Sequence, residues 1–111
     1  MAWKRIIFFI FLFSVSSEAA ELNFKKIADF RSPWGSTFVS NNEILLTEVS
    51  GNLKLINIES GSITEVKHNL KVLEDGQGGL LDIVYKDGVV GVSYSEDHGQ
   101  SKTTNSVARG N

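Results

Sequence analysis

The chain has 111 residues, no cysteine and a formal net charge of −2 at pH 7. Without cysteine, disulfide bonds do not hold the fold together. The charges are interspersed and build no basic face of the kind that phosphate backbones require, which excludes nucleic acid as an expected partner.

The first part of the chain is typical of an export signal. Lys4 and Arg5 give a positive start, residues 6–13 form an apolar run, and small residues precede a cleavage point after Ala19. A membrane-spanning helix needs about 20 apolar residues, and this run is shorter. We therefore predict a signal peptide at 1–19 and no stable membrane span after cleavage, with an uncleaved anchor as the alternative. The expected location is the periplasm, or outside the cell if the organism has no outer membrane.

Before the first strands comes Ser32-Pro33-Trp34-Gly35. Proline forces the preceding residue into an extended conformation, glycine permits a tight entry to a strand, and Trp34 brings a large surface that must be covered. We expect Trp34 to pack between neighbouring structural units, with stacking on a sugar as the alternative. The earlier residues 24–30 are a candidate extra strand.

From residue 38 onward the sequence follows the two-residue period of β-strands. Short runs rich in apolar and β-branched residues predict four strands, at 38–39, 43–48, 52–58 and 63–66. The breaks carry turn residues, namely Asn41-Asn42 for a two-residue hairpin, then Ser50-Gly51-Asn52 and Ser60-Gly61-Ser62. The pattern predicts a four-stranded antiparallel meander.

A second set of strands follows. The sequence predicts strands at 80–86 and 89–95, joined by Asp87-Gly88 in a type I′ turn, and a third strand over about 103–109. One meander followed by the start of another indicates a repeated four-stranded unit, as in a β-propeller. The unfinished second unit suggests a truncated reading frame, and a natural short protein with a frayed end is the alternative.

Between the two sets, three glycines surround Gln77 in the segment 75–82. Glycine can adopt positive φ and lets a ligand or a second backbone approach closely, while the glutamine amide offers both donors and an acceptor. A glycine-rich turn feeding strand 80–86 is the simpler interpretation of this segment alone. The alternative is the rim of a binding pocket, with Gln77 as its polar group and Gly76 and Gly78 shaping it.

Other polar residues do not form a recognisable site. His68 and His98 lie in linking segments and are expected to be exposed. The acidic pairs at 74–75 and 96–97 lack the spaced pattern of a calcium-binding loop. Asp82 begins an apolar strand and is expected to be an ordinary strand-end carboxylate, with a carboxylate that faces the pocket as the alternative. We therefore predict no metal site and no catalytic residue within this chain.

Several motifs together resemble the opening of the soluble glucose/sorbosone dehydrogenase family, which includes aldose sugar dehydrogenases that use pyrroloquinoline quinone. The similarity covers about residues 30–109 and lies in an ordered set of motifs: Pro33-Trp34-Gly35, Ile44-Leu45-Leu46-Thr47-Glu48 with Gly51-Asn52-Leu53, Gly76-Gln77-Gly78-Gly79-Leu80-Leu81-Asp82 and Val92-Ser93-Tyr94-Ser95.

The resemblance implies an all-β fold, a six-bladed β-propeller of which this chain covers about the first one and a half to two blades. Residues 20–111 would then be the N-terminal part of a truncated domain. It also implies an enzyme that oxidises an aldose at C1 to the lactone, using pyrroloquinoline quinone and calcium, with the electron acceptor undetermined. In that family pattern Gln77 contacts the sugar or the quinone.

The general base, the calcium ligands and the cationic residues that hold the quinone are expected downstream of this chain. We therefore expect the chain to be inactive alone and poorly stable. The alternative function is that of a secreted, non-catalytic propeller module that binds sugars or proteins, because one propeller scaffold serves many functions.

Overall fold

The computed structural model describes residues 20–100 and 102–111, and the predicted signal peptide at 1–19 lies outside them. These residues form seven β-strands in two antiparallel sheets and contain no helix. The prediction of an all-β chain is confirmed. Within the same residues, no helix is long and apolar enough to cross a membrane.

The first sheet is a meander of four strands in the order β1-β2-β3-β4, as predicted. Its strands are β1 (Pro33–Phe38), β2 (Glu43–Glu48), β3 (Leu53–Asn57) and β4 (Ile63–Val66). Apolar residues of the two central strands, β2 and β3, are buried and leave the more polar β4 at the outer edge.

Two details of the first sheet differ from the prediction. Strand β1 begins at Pro33 instead of at residue 38, because a proline is tolerated as the first residue of a strand. The connection at Asn41-Asn42 is not a two-residue hairpin with left-handed residues. It is a four-residue loop closed by a hydrogen bond from the Val39 N–H to the Glu43 carbonyl, 3.0 Å, and neither asparagine has a positive φ.

Two predictions concern contacts with blades beyond the two described sheets. Residues 24–30 form no strand with either sheet, and Phe24 is 91% exposed. Trp34 is 58% exposed and is not covered by packing between these two sheets. A strand at 24–30 in a closed propeller and packing of Trp34 against a neighbouring blade stay predictions.

The second sheet has three strands in the order β5-β6-β7. They are β5 (Leu80–Lys86), β6 (Val89–Asp97) and β7 (Thr103–Gly110), close to the predicted runs. Asp87 and Gly88 have φ of 50° and 81°, which confirms the type I′ turn. Strand β6 extends to Asp97 because Thr103 pairs with that residue on one side and the Lys71 carbonyl accepts its N–H on the other, at 2.9 Å.

The core lies between the two sheets. Strand β5 packs on β1 and β2, so the innermost strand of the second unit covers the face of the first. Six buried side chains form this core, namely Leu45, Leu53, Leu80, Ile83, Val92 and Tyr94. A single sheet of this kind cannot bury its apolar face alone, so each sheet covers the apolar face of the other. This shared core fixes the position of one sheet on the next.

The two units share a bulge in the innermost strand. In β1, residues 34–35 lie opposite the single residue Thr47, and in β5, residues 81–82 lie opposite Ser93. In both cases the hydroxyl accepts the N–H of the second bulge residue, at 3.0 Å in the first unit and 3.1 Å in the second. The predicted repeat is therefore present in backbone geometry.

Candidate functional site

Gln77 lies at the tip of a tight turn, residues 75–78, which we call the Gln77 turn. The Gly78 N–H donates to the Asp75 carbonyl at 2.8 Å, and the Asp75 N–H donates to the Gly78 carbonyl at 3.2 Å. Gly76 has a φ of 61° while that of Gln77 is not positive, the pattern of a type II′ turn. Gln77 is exposed, and its amide makes no hydrogen bond with any residue in 20–100 or 102–111. Its donors and acceptor therefore face solvent on a backbone of fixed shape.

The end of this turn is held against the first sheet at Gly79. The φ of Gly79 is 155°, and a Cβ there would collide with the carbonyl and side chain of Val49. The next amide, that of Leu80, donates to the Val49 carbonyl at 3.0 Å. On the other side, the Gly79 N–H donates to Ser95 Oγ at 3.2 Å and its carbonyl accepts the Ser95 N–H at 2.8 Å. Only glycine fits between these two neighbours.

The two glycines that flank Gln77 have different structural roles. A Cβ at Gly76 would meet no neighbouring atom, so the turn needs glycine there for its positive φ and not for lack of space. Gly78 lies directly against Ser95, whose Oγ would be 2.5 Å from an added Cβ. That both glycines shape a ligand pocket stays a prediction.

Thr47 joins the two sheets through a side-chain hydroxyl that is fully buried. Its oxygen accepts the Gly35 N–H at 3.0 Å and donates to the Leu81 carbonyl. These two partners belong to the bulges of β1 and β5. One hydroxyl therefore links the innermost strands of both units.

Glu48 is a buried carboxylate, 2% exposed, beside Thr47. It accepts hydrogen bonds from the Arg31 N–H at 3.0 Å and Asn52 Nδ2 at 3.1 Å, and it pairs with Lys54 Nζ at 3.3 Å. Burial by itself raises the pKa of Glu48, but the three donors together lower it below its ordinary value of 4.5. The folded chain therefore holds this group as a carboxylate that fastens the entry to β1.

The lowered pKa makes stability depend on pH. Because Glu48 binds a proton more weakly in the folded chain than in the unfolded chain, acid favours unfolding. Its contribution is complete above about pH 4.5 and is lost as the pH falls through the lower folded pKa. We expect Glu48→Gln to reduce the free energy of unfolding at pH 7 by about 1–3 kcal/mol, since an amide donor would face the donors of Asn52 and Lys54. Urea unfolding between pH 2 and 7 measures both effects.

The matched control is Glu59→Gln in the exposed turn between β3 and β4, which should change neither the stability at pH 7 nor the pH profile. In the wild-type chain the free energy of unfolding should fall as the pH drops below about 4.5, and in Glu48→Gln it should fall less steeply. An unchanged slope in Glu48→Gln would assign the pH dependence to other carboxylates.

Both histidines are exposed, as predicted, and neither hydrogen-bonds to the Gln77 turn. His68 Nδ1 accepts the Leu70 N–H at 3.1 Å, so its Nε2 carries the proton that reaches the Gly51 carbonyl at 2.6 Å. His98 Nε2 lies 3.2 Å from Glu96 Oε2 and 2.8 Å from Thr104 Oγ1. These contacts give each histidine a local structural role.

The acidic residues near the turn are exposed and separate. Asp82 is the second bulge residue of β5, and its Oδ1 accepts the N–H of Ile83 at 2.9 Å. Glu74 and Asp75 are also exposed. Among the described residues, no three His, Asp or Glu side chains come together in a way that could hold a metal ion.

The sequence alone indicated no role for Thr47 and Val49, which hold the segment after the turn, or for Glu48, which fastens the entry to β1. One signal was present in the sequence. Thr47 lies two residues after the buried Leu45 on the same strand, where the two-residue period places a side chain on the core face. A polar residue at such a position needs a hydrogen-bonding partner, which here is the neighbouring sheet.

The chain is similar to known sugar dehydrogenases in sequence and structure. The family model described as Glucose / Sorbosone dehydrogenase matches residues 30–111. The aldose sugar dehydrogenase from Escherichia coli, solved without cofactor, is 28% identical with a TM-score of 0.63, over 72% of this chain and 25% of that enzyme. A solved glucose dehydrogenase is 25% identical, with a TM-score of 0.64 over 72% and 25%.

The pyrroloquinoline quinone-bound aldose sugar dehydrogenase from Streptomyces coelicolor is 22% identical, with a TM-score of 0.63 over 73% of this chain and 25% of that one, and so supports the fold alone. No curated protein sequence matches the chain. The chain thus spans about a quarter of the length of the solved structures it matches. The predicted fold is confirmed as a β-propeller, of which the described residues form one four-stranded and one three-stranded blade.

Proposed function

Because the chain belongs to the glucose/sorbosone dehydrogenase family, we propose that it forms the N-terminal part of an exported dehydrogenase that oxidises an aldose at C1 to the lactone. The observation that carries the proposal is Gln77: an exposed amide with unused donors and acceptor, on a hydrogen-bonded turn between two blades. A small number of fixed polar groups on a preformed surface is typical of small-molecule sites.

The chemistry of this amide suits a sugar. The reaction removes a hydride from C1 and a proton from the anomeric hydroxyl. A neutral amide can orient a hydroxyl or ring oxygen by donating to it or accepting from it, and it adds no charge beside the transferred hydride. Because the chain is fastened at Gly79 and Leu80, the backbone that carries Gln77 is held in place before a sugar binds.

We propose pyrroloquinoline quinone as the two-electron oxidant, with calcium as its partner ion. The described residues do not fit either group by themselves. They bring no three candidate metal ligands together. Asp75 in the Gln77 turn and Glu74 just before it have the wrong sign for the carboxylates of the quinone. The contribution proposed for this chain is the sugar-facing amide, and residues outside the described part would hold the quinone and supply the general base.

A chimera tests the proposal. Residues 30–111 would replace the corresponding quarter of the E. coli aldose sugar dehydrogenase, and dye reduction would be assayed with glucose, pyrroloquinoline quinone and calcium. We expect aldose-dependent turnover by the chimera. We expect none from the 111-residue chain alone, because it lacks a grouped metal site and an identified base within its described residues.

Two outcomes would contradict the proposal. A folded chimera that binds sugar but reduces no dye with any aldose would favour the non-catalytic sugar-binding module. A folded chimera that neither binds nor oxidises sugar would show that the surface around Gln77 is not a sugar site. Circular dichroism distinguishes both from a chimera that has not folded.

A further inference from the structure

The bulges of the two innermost strands meet at one atom. Thr47 Oγ1, on a side chain with no exposed surface, accepts the N–H of Gly35 at 3.0 Å and donates to the carbonyl of Leu81. The first bulge includes Trp34, which is exposed beside Gly35. The second bulge begins three residues after the Gln77 turn.

A second contact continues this connection to the turn itself. The Val49 carbonyl accepts the Leu80 N–H at 3.0 Å, and the Val49 N–H donates to the Ser32 carbonyl at 3.0 Å, so Val49 also contacts both innermost-strand segments. Gly79 lies against the same residue without space for a Cβ. The three residues that follow the turn, Gly79, Leu80 and Leu81, therefore each contact Val49 or Thr47.

We propose that Thr47 is a positioning residue whose hydroxyl couples the Trp34 bulge to the Gln77 turn, so that the backbone hydrogen bonds of the two segments break and re-form together. Buried hydroxyls with both a donor and an acceptor partner fix relative positions, because losing either bond leaves a polar group unpaired. That the turn is positioned for a sugar rests on the proposed function. The coupling itself is measured without any sugar.

The test uses amide hydrogen exchange by NMR on the full chain. Three amides serve as reporters: Gly35 in the first bulge, Gly79 directly after the Gln77 turn, and Ile56, a buried residue of β3 that is not part of the core between the sheets. Thr47→Val removes the hydroxyl at nearly constant volume, and Thr47→Ser keeps it. Thr64→Val makes the same chemical change at an exposed position on β4 and is the matched control.

We expect Thr47→Val to speed exchange at both Gly35 and Gly79 by about tenfold, with Ile56 changed by less than about twofold. Thr47→Ser should restore most of the protection at both glycines, and Thr64→Val should change none of the three. An effect at Gly35 alone would show that Thr47 acts only on its own strand. Equal acceleration at all three amides would show a loss of global stability. Either result overturns the proposal.

If Thr47→Val does not fold, the wild-type chain decides the question. Under sub-denaturing urea, Gly35 and Gly79 should open with the same free energy and the same urea dependence, as members of one cooperative unit. Different values would overturn the coupling. An inactive chimera with coupled glycines would contradict the proposed function alone, whereas an active chimera with uncoupled glycines would contradict this inference alone.

Discussion

Replacing Gly79 by alanine should lower the free energy of unfolding by about 3 kcal/mol or more. The new Cβ would meet the Val49 carbonyl and side chain, and the φ of 155° is one that residues with a side chain rarely adopt. The Val49 carbonyl cannot move away freely, because it accepts the Leu80 N–H. Urea unfolding followed by circular dichroism measures the change.

Gly88→Ala provides the matched control. Gly88 also has a positive φ, 81°, but a Cβ there would meet nothing within 4 Å. We expect this variant to lose only about 1 kcal/mol, from backbone strain. If the two variants lose equal stability, close packing between Gly79 and Val49 does not hold the turn.

Replacing Gln77 by alanine should lower kcat/KM for glucose in the chimera by about tenfold to a hundredfold, the range for losing a hydrogen bond to a reacting sugar. The fold should be unaffected, because Gln77 is exposed and its side chain bonds to no other described residue. Gln77→Glu should also lose activity, since it adds a negative charge beside the transferred hydride.

Much of the fold could be predicted from local sequence. The alternation of apolar and polar residues placed β2, β4 and β5 at their observed bounds, and Asp87-Gly88 identified a turn whose two positive φ angles are present. The start of β1 could not be found in this way. Pro33 and Gly35 are typical of a strand boundary, and only the pairing with β2 shows that Pro33 begins the strand opposite Glu48 and that a bulge opposite Thr47 accommodates Gly35.

The candidate site was predictable only in part. Glycine spacing pointed to an unusual backbone around Gln77, and the turn has that backbone. The same spacing could not single out Gly79, because its constraint comes from Val49, which lies 30 positions earlier in the chain. Thr47 and Glu48 were missed for the same reason, since their partners lie in other strands and loops. Sequence identified the turn, whereas tertiary contacts determine what holds it.

The most direct measurement compares kcat/KM for glucose in three chimeras that carry Gln77, Gln77→Ala and Gln100→Ala. Gln100 is the matched control, an exposed glutamine in the loop between β6 and β7. A sugar-contacting Gln77 predicts a loss of about tenfold or more in Gln77→Ala and none in Gln100→Ala, with equal unfolding midpoints in all three. Unchanged kinetics in Gln77→Ala would contradict the account and leave Gln77 as a turn residue only.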